Sequence, residues 1–174
     1  MTETNNADFV RLNCAVLTVS DTRDESTDTS GKYLVDALTG FGHRLVEKKL
    51  LIDDIYRIRA QVAHWIASPE IQVILTTGGT GLTGRDVMPE AVSMLFDKPI
   101  QGFGEMFRML SYDEVCTSTI QSRAIGGLSN GTLVFCCPGS NNACKTAWEK
   151  ILEPQLDSRV KPCNFVKLLP RFKE

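Results

Sequence analysis

Apolar residues along the chain occur either as short continuous runs or at the spacing of one helix face. The short runs of apolar and β-branched residues predict strands, and the periodic segments predict helices. Strands that alternate with helices are typical of an α/β fold, so we predict a mostly parallel sheet with helices on both faces. The predicted strands span residues 13–19, 44–51, 71–75 and 132–136. The predicted helices span about residues 31–38, 55–67, 90–96, 103–110, 119–124 and 143–152.

Residues that favour helix starts or helix ends stand at several of these boundaries. Ser30 can cap the first helix, and Gly40 and Gly42 can end it. Pro89 suits a first helical turn, and Pro154 is expected to end the last helix. These signals support the predicted limits of the helices.

The length and charge of the chain favour a single domain with a small ligand. A chain of 174 residues can bury one core and is too short for two ordinary domains. Residues 1–8 are polar and without pattern, so we predict a disordered N-terminal tail, one domain over residues 9–166 and a C-terminal tail over residues 167–174. A net charge of -2 provides no basic footprint for nucleic acid. We therefore expect a small-molecule ligand and no nucleic acid partner.

The cysteines show neither a metal-binding nor a disulfide pattern. None of the six forms a Cys-x-x-Cys pair, and two adjacent ones lie in an apolar run. The N-terminus does not resemble a signal peptide, and no apolar stretch approaches the length of a membrane span. We therefore expect a cytoplasmic protein that does not cross a membrane. Its cysteines are then small buried residues: Cys14, Cys116, Cys136, Cys137, Cys144 and Cys163.

A loop rich in glycine and threonine, residues 76–86, directly follows the predicted strand 71–75. Glycines permit positive φ angles and close approach of backbone N–H groups, which favours an anion such as phosphate. Residues 79–84 match the dinucleotide fingerprint G-x-G-x-x-G, but no strand with an acidic end follows at the required distance. The Gly-Lys-Ser/Thr ending of a Walker A loop is missing too. We interpret the segment as another kind of phosphate- or nucleotide-binding loop, with candidate binding residues Thr77, Gly78, Gly79, Thr80 and Gly81.

Polar residues also follow the first and the last predicted strand. Ser20 and Asp21 come after the first strand, and Pro138, Gly139 and Ser140 come after the last one. Ligands of open α/β sheets bind outside the carboxyl ends of the strands. We therefore predict that these loops and the glycine loop line one crevice.

Two aspartates stand near these strand ends, and either could serve a structural role. Asp86 closes the glycine loop and could hold Mg²⁺ together with substrate phosphate oxygens, or it could assist the start of the next helix. Asp54 follows the second strand and, judged by its immediate surroundings, is expected to cap a helix. Glu105 fits either a ligand contact or a solvated acid, and we group Ser122 with the candidate binding residues.

The remaining polar candidates point less clearly to chemistry. His43 follows a glycine turn and His64 lies on a helix with an apolar stripe, so we interpret both as structural. Arg108 and Arg123 fit either surface ion pairs or anion ligands. No serine or cysteine has a paired base in the sequence, which argues against nucleophilic catalysis.

Five short motifs occur in a fixed order along the chain. They are Ser20-Asp21-Thr22-Arg23, Thr76-Thr77-Gly78-Gly79-Thr80-Gly81, Arg85-Asp86, Gly102-Phe103-Gly104-Glu105 and Pro138-Gly139-Ser140. The ordered set resembles the MoaB/MogA family of molybdenum cofactor biosynthesis proteins. The resemblance covers roughly residues 10–165, and residues 143–157 and 161–165 resemble the MoaB branch in particular.

The resemblance implies a three-layer α/β/α subunit that assembles as a homotrimer, or as a homohexamer of two trimers, and binds molybdopterin. It also implies an adenylyltransferase that uses ATP and Mg²⁺ to place AMP on the molybdopterin phosphate and releases pyrophosphate. Other molybdenum cofactor biosynthesis enzymes are the expected partners. The alternative within the same family is a carrier that binds molybdopterin or a nucleotide such as GTP without adenylylating it.

By motif position, the two essential aspartates of the family fall on Asp54 and Asp86. The resemblance therefore assigns both residues to catalysis and to metal binding, and it changes the expectation for Asp54 from cap to participant. The chain departs from the family pattern at one point. The active branch usually reads proline, aspartate, glutamate where this chain reads Asp53-Asp54-Ile55.

Overall fold

The structure, a computed structural model, describes residues 8–174. The predicted disordered tail therefore lies, except for Asp8, outside the described residues. The described chain folds around one six-stranded sheet with the strand order β2-β1-β3-β6-β5-β4. The strands are β1 (Asn13–Val19), β2 (Arg44–Leu51), β3 (Val73–Thr77), β4 (Lys98–Pro99), β5 (Ile125–Ser129) and β6 (Thr132–Cys137).

Four neighbouring strands of the sheet, β2, β1, β3 and β6, run parallel. The edge strands differ, because β5 is antiparallel to β6 and β4 is antiparallel to β5. The prediction of an α/β fold with a mostly parallel sheet is thereby confirmed. All four parallel strands end at the same edge of the sheet, which is where the candidate binding loops begin.

Helices cover both faces of the sheet, as the continuous apolarity of the strands requires. On one face α1, α4 and α5 pack against a core that includes Val16 and Leu75, and on the other α2 and α3 pack against Leu17 and Ile74. The helices are α1 (Thr29–Phe41), α2 (Ile55–Ala67), α3 (Met88–Val92), α4 (Gln101–Val115), α5 (Asn141–Ala147), α6 (Glu153–Leu156) and α7 (Phe165–Leu168). Short 3₁₀ turns follow α3, α4 and α7 at Ser93–Leu95, Cys116–Gln121 and Leu169–Arg171, and a π turn, Trp148–Leu152, joins α5 to α6.

The predicted ends of the first helix are partly wrong. Asp28, not Ser30, caps α1, because the carboxylate of Asp28 accepts a hydrogen bond from the N–H of Gly31. Ser30 is buried inside the helix. Gly42 does end the helix, in the left-handed conformation with φ of 115°, whereas Gly40 remains helical.

The prediction that Pro154 ends the last helix is wrong. Pro154 occupies the first turn of α6, where its missing N–H costs little, and α5, the π turn and α6 form one helical run. The segment predicted as a helix at 119–124 is instead the 3₁₀ turn that ends at Gln121. Pro89 lies at the start of α3, as predicted.

Strand β5 was not predicted, because Gly126 and Gly127 interrupt its apolar pattern. A Cβ atom on Gly127 would lie 2.3 Å from the ring of Phe96, so the strand needs a glycine there to pack. The predicted C-terminal tail, residues 167–174, includes the end of α7, and Leu169 and Phe172 pack against the core. No helix in residues 8–174 is long and apolar enough to cross a membrane.

Candidate functional site

A crevice of about 440 Å³ lies at the carboxyl edge of the parallel strands. We call it the carboxylate crevice. The loops after β1, β2, β3 and β6 all contribute to it, so the structure brings together the three loops that the sequence predicts to converge. Its lining consists of Val19, Ser20, Asp21, Thr22, Arg23, Asp53, Gly79, Thr83, Arg85, Asp86, Gly139 and Ser140.

Close backbone packing at the floor of the crevice depends on glycine. Gly78 and Gly79 have positive φ angles of 98° and 65°. A Cβ atom on Gly78 would lie 2.1 Å from the carbonyl oxygen of Val19, and one on Gly139 would lie 3.3 Å from the Cα of Gly78. Larger residues would therefore push the loops after β1, β3 and β6 apart.

The Gly78 amide is already used within the fold. It donates to the carbonyl of Cys137 at 3.1 Å, so this candidate binding residue shapes the loop and does not offer a free donor. Thr77 belongs to β3, and its hydroxyl donates to the carbonyl of Pro138 at 3.1 Å. Thr80 is buried. These three residues do not line the crevice, whereas Gly79 does.

Asp21 and Arg85 form a two-point ion pair across the crevice. Arg85 donates from Nε to Oδ2 of Asp21 at 2.7 Å and from Nη2 to Oδ1 at 2.9 Å. Oδ1 of Asp21 also accepts the N–H of Asp53 at 3.0 Å. These hydrogen bonds lower the pKa of Asp21, with that from Arg85 contributing most.

Asp86 is held within its own loop. Its Oδ2 accepts hydrogen bonds from the N–H of Thr83 at 2.9 Å and from the Thr83 hydroxyl at 2.6 Å. Burial opposes ionisation of Asp86, but hydrogen bonds from Thr83 and Gly81 and the charge of Arg123 leave its pKa below the usual range. Asp86 is thus a fixed, ionised carboxylate at the crevice wall, and its role as a metal ligand stays a prediction.

The structure separates the roles of the adjacent residues Asp53 and Asp54. Oδ1 of Asp54 accepts the N–H groups of Tyr56 and Arg57 at 3.0 and 2.9 Å, which makes Asp54 the N-cap of α2. Asp53, rather than Asp54, lines the carboxylate crevice. The catalytic role that the resemblance assigns to Asp54 stays a prediction.

Three aspartates and two arginines line the carboxylate crevice. Burial and the charges of Asp21 and Asp86 raise the pKa of Asp53, and the positive charge of Arg85 offsets this only in part. An uncompensated buried carboxylate is stabilised by a cation. Within residues 8–174, no group of three or more histidine, cysteine, aspartate or glutamate side chains is placed to hold a metal by itself.

Several of the predicted binding residues do not line the carboxylate crevice: Thr77, Gly78, Thr80, Gly81, Glu105, Ser122 and Pro138. Glu105 and Ser122 line a neighbouring cavity of about 660 Å³, which we call the lateral cavity. Its other polar side chains are Gln101, Arg108 and Arg123, and its apolar ones include Phe96 and Ile120. A smaller cavity of about 260 Å³ lies between the two, since it is lined by Ser122 of the one and Ser140 of the other.

Ser20 and Ser140 fix the loops through backbone hydrogen bonds. The hydroxyl oxygen of Ser20 accepts the N–H groups of Thr22 and Arg23, both at 3.2 Å. That of Ser140 caps α5 by accepting the N–H of Ala143 at 3.1 Å. Pro138 accepts a weak hydrogen bond from the buried thiol of Cys144 at 3.5 Å, so its carbonyl faces inward.

Several polar residues that line the crevice were not selected from the sequence: Thr22, Arg23, Asp53, Thr83 and Arg85. For Arg123 the sequence indicates only an ion-pair partner or an anion ligand. Asp53 was overlooked because Asp54 satisfied the cap pattern and the family motif. Thr83 and Arg85 stand inside the glycine loop, so a search for hydroxyl and cationic side chains in that loop would have found them. Arg123 had no local signal, because its contacts are with residues distant in the sequence.

The chain is similar to proteins of one known family over most of its length. The family described as a probable molybdopterin binding domain matches residues 15–158. The chain is 55% identical over 158 residues to molybdenum cofactor biosynthesis protein B of Escherichia coli strain K12, covering 91% of this chain and 93% of that protein. It is 41% identical over 150 residues to the protein of the same name from Bacillus subtilis strain 168, covering 86% and 87%.

Solved structures agree with the sequence matches. A crystal structure of molybdenum cofactor biosynthesis protein B superposes with a TM-score of 0.84 at 39% identity, covering 94% of this chain and 97% of the other. The tungsten cofactor synthesizing protein MoaB from Pyrococcus furiosus superposes with a TM-score of 0.78 at 34% identity, covering 94% and 98%. The family match over residues 15–158 includes all the loops of the carboxylate crevice. The chain therefore belongs to the MoaB/MogA family of molybdenum cofactor biosynthesis proteins, and it carries that family's probable molybdopterin-binding domain.

Proposed function

We propose that this protein transfers AMP from ATP to the terminal phosphate of molybdopterin in a Mg²⁺-dependent reaction. The observation that carries the proposal is the pairing of two carboxylates, Asp53 and Asp86, with a glycine loop at one edge of the sheet. Anion-binding backbone beside carboxylates is the arrangement that a metal-bound triphosphate requires. Family membership supports molybdopterin as the second substrate.

Several groups around the crevice suit the phosphates. The N-terminus of the helical run that begins at Asn141 faces the crevice through Ser140, and helix N-termini favour anions. Arg85 and Arg23 supply positive charge at the crevice wall. The N–H group of Gly79 would contact phosphate oxygens, while Gly78 holds the loop against β6.

The residues present fit a magnesium ion, because the carboxylates of Asp53 and Asp86 line the same crevice. Burial, together with the negative charges of Asp21 and Asp86, raises the pKa of Asp53, and a cation would offset this effect. Asp53 and Asp86 would hold Mg²⁺, which prefers one or two carboxylates with substrate phosphate oxygens and would neutralise charge on the triphosphate. Oδ2 of Asp86 is directed by Thr83, so this carboxylate is oriented before any ligand binds.

The reaction balances without a covalent protein intermediate. A phosphate oxygen of molybdopterin forms a bond to the α-phosphorus of ATP, and the bond from that phosphorus to the bridging oxygen of pyrophosphate breaks. A phosphate monoester is largely ionised at neutral pH, with a second pKa of about 6, so no side chain has to remove a proton. The protein contributes position and charge neutralisation, which are the main factors in phosphoryl-type transfers.

A carrier protein is the second candidate, and one observation favours it. Asp54, the residue that the family motif assigns to catalysis, caps α2 in this chain. If catalysis requires Asp54 in the crevice, this chain would bind molybdopterin or a nucleotide such as GTP and pass it on.

Self-association stays a prediction. Met106, Met109 and Tyr112 are exposed along one face of α4, with exposed fractions of 44%, 63% and 54%. An apolar stripe of this kind is typical of a subunit contact and supports the proposal of a homotrimer or homohexamer. Light scattering on the purified chain would measure the mass.

The adenylyltransferase proposal is tested by incubating the purified protein with molybdopterin, ATP and Mg²⁺. Adenylylated molybdopterin and pyrophosphate are then measured together. Wild type should form both products, and Asp86→Asn should slow the reaction by at least about 100-fold while still binding molybdopterin. The control is Asp36→Asn, which removes an exposed carboxylate on α1 far from the crevice loops and should leave the rate unchanged. Molybdopterin binding by wild type without either product would establish the carrier instead.

A further inference from the structure

Arg123 contacts both cavities of the site. Its side chain lines the lateral cavity, while its guanidinium binds the glycine loop of the carboxylate crevice. Nε donates to the carbonyl of Gly81 at 2.8 Å, and Nη2 donates to the carbonyl of Asp86 at 2.8 Å. The backbone N–H of Arg123 donates to the carbonyl of Thr80 at 3.2 Å.

The two carbonyls that Arg123 binds stand at the two ends of the turn that presents Asp86. Residues 81 and 86 enclose this turn, and Thr83 inside it directs the Asp86 carboxylate. Because a guanidinium is planar and rigid, donors on the same fork fix the separation of the two carbonyls. The turn is also tightly packed, since a Cβ atom on Gly81 would lie 2.7 Å from Oδ2 of Asp86.

The third nitrogen of the guanidinium is anchored outside the loop. Nη1 forms an ion pair with Glu90 on α3. The backbone carbonyl of Glu90 in turn accepts a hydrogen bond from Arg59 on α2 at 3.0 Å. Each nitrogen of Arg123 thus has its own acceptor, and the loop is tied to the helices on one face of the sheet.

We propose that Arg123 is a positioning residue that holds the Asp86 carboxylate in place for the metal-bound nucleotide. This inference rests on the proposed function for the identity of the ligand. Through the same side chain, contacts made in the lateral cavity act directly on the turn that carries Asp86. A lysine at this position keeps the charge but cannot bind both carbonyls with one rigid plane.

Arg108 provides a matched control within the same cavity. It also lines the lateral cavity, and its Nη1 also donates to a backbone carbonyl, that of Ala124, at 3.3 Å. Within residues 8–174, Arg108 makes no hydrogen bond to residues 81–86. Arg108→Lys and Arg123→Lys therefore make the same chemical change in the same cavity, and only the second one loosens the glycine loop.

The first measurement is hydrogen exchange of the free protein, which does not depend on any ligand. Arg123→Lys should speed exchange of the Thr83 and Asp86 amides by about tenfold, because both amides take part in hydrogen bonds inside the released turn. In Arg108→Lys, the amides of Thr83 and Asp86 should exchange at the wild-type rate. Equal exchange in wild type and Arg123→Lys would overturn the positioning role.

The second measurement is the dissociation constant for ATP with and without Mg²⁺, by calorimetry. Arg123→Lys should weaken binding of Mg²⁺-ATP by about tenfold and change binding of ATP alone by much less, since the loss acts through Asp86. A general loss of nucleotide binding, equal with and without Mg²⁺, would contradict the proposal. Absence of Mg²⁺-ATP binding by wild type would refute the proposed function, while hydrogen exchange would still decide whether Arg123 holds the turn.

If Arg123→Lys does not fold, Glu90→Gln carries the test. This variant removes the charge that anchors Nη1 and leaves both carbonyl contacts of Arg123 chemically possible. It should produce a smaller change of the same kind, in both exchange and Mg²⁺-dependent affinity. If Glu90→Gln matches wild type in both measurements, the ion pair with Glu90 does not hold the Arg123 guanidinium in place.

Discussion

Arg85 reaches across the carboxylate crevice and binds both oxygens of Asp21, at 2.7 and 2.9 Å. The pair joins the loop after β1 to the loop after β3. Arg85 remains 63% exposed, so an incoming anion can reach its guanidinium. Asp21 therefore orients Arg85, and under the proposed function it would compete with phosphate for the Arg85 guanidinium.

This competition predicts opposite effects for the two partners. Arg85→Gln should weaken binding of ATP by about tenfold, because a charge-assisted contact is lost. Asp21→Asn should strengthen binding of ATP measured without Mg²⁺, because a competing negative charge is removed. Calorimetric titration measures both, and Arg57→Gln, an exposed arginine on α2 outside the crevice, serves as control. Shifts in the same direction for both variants would show that Asp21 does not compete.

The neighbouring residues Asp53 and Asp54 allow a direct test of geometry against motif position. Asp53→Asn should slow adenylylation by at least about 100-fold, since this carboxylate lines the crevice. Asp54→Ser should retain most of the activity, because serine also serves as an N-cap. The measurement is the rate of pyrophosphate release for the two variants. The reverse ranking would assign the metal to Asp54 and make Asp53 the supporting residue.

Asp53 should also lower the stability of the ligand-free protein near neutral pH. The pKa of Asp53 in the folded protein is raised above the ordinary value, so its neutral form favours folding. This contribution to stability is fully present below the ordinary pKa and is lost as pH rises through the folded pKa. Asp53→Asn should therefore have a higher melting temperature than wild type at pH 8, and the difference should disappear below about pH 4. Scanning fluorimetry across this range gives the result. A lower melting temperature at pH 8 would mean that the ionised Asp53 stabilises the fold.

The main strands of the fold could be predicted from the sequence because their signals are local. Strand Asn13–Val19 and helix Ile55–Ala67 have the predicted bounds, since continuous apolar runs and a regular apolar stripe are read within one segment. Strand β5 could not be predicted from local signals. Gly127 fits in this strand because the ring of Phe96, about thirty positions earlier in the sequence, packs against it.

In the candidate site too, some features follow from local sequence signals and others depend on residues that are distant in the sequence. Convergence of the loops followed from strand polarity alone, and the position of Asp86 followed from its loop. The choice between Asp53 and Asp54 depends on which side chain the first turn of α2 uses as its cap, and sequence patterns allow either. The role of Arg123 depends on carbonyls about forty residues away in the sequence, which no local pattern contains.

A buried charge network behind the crevice predicts a large loss of stability. Asp28 caps α1 and accepts hydrogen bonds from Gly31 at 2.9 Å and from the Thr18 hydroxyl at 2.8 Å, and it pairs with Lys48 at 2.8 Å. Burial opposes its ionisation, but these partners leave its pKa below the ordinary value. Asp28→Ala should cost about 3 kcal/mol in the free energy of unfolding, because Lys48 loses a buried partner and α1 its cap.

Urea unfolding measures this loss. Asp36→Ala removes an exposed carboxylate from the same helix and should cost no more than about 0.5 kcal/mol. A similar midpoint for both variants would show that the Asp28 network contributes little.

His43 should make the folded protein sensitive to mild acid. It is buried among Phe9, Phe41 and Trp148, and its Nδ1 accepts the N–H of Leu12 at 3.2 Å. Burial lowers the pKa of His43 to about 4, and the opposing charge of Asp157 does not compensate.

A lowered folded pKa means that this contribution to stability is present above the unfolded value of about 6.5 and is lost as pH falls through about 4. The free energy of unfolding should fall over this range by no more than about 3 kcal/mol, at 1.36 kcal/mol for each pKa unit. Urea titrations at several pH values measure the slope. His43→Asn should reduce the slope of stability against pH, because asparagine can accept the Leu12 hydrogen bond without titrating. The control is His64→Asn, at an exposed site on α2, which should leave the slope as in wild type. An equal slope in wild type and His43→Asn would show that carboxylates, rather than His43, govern unfolding in acid.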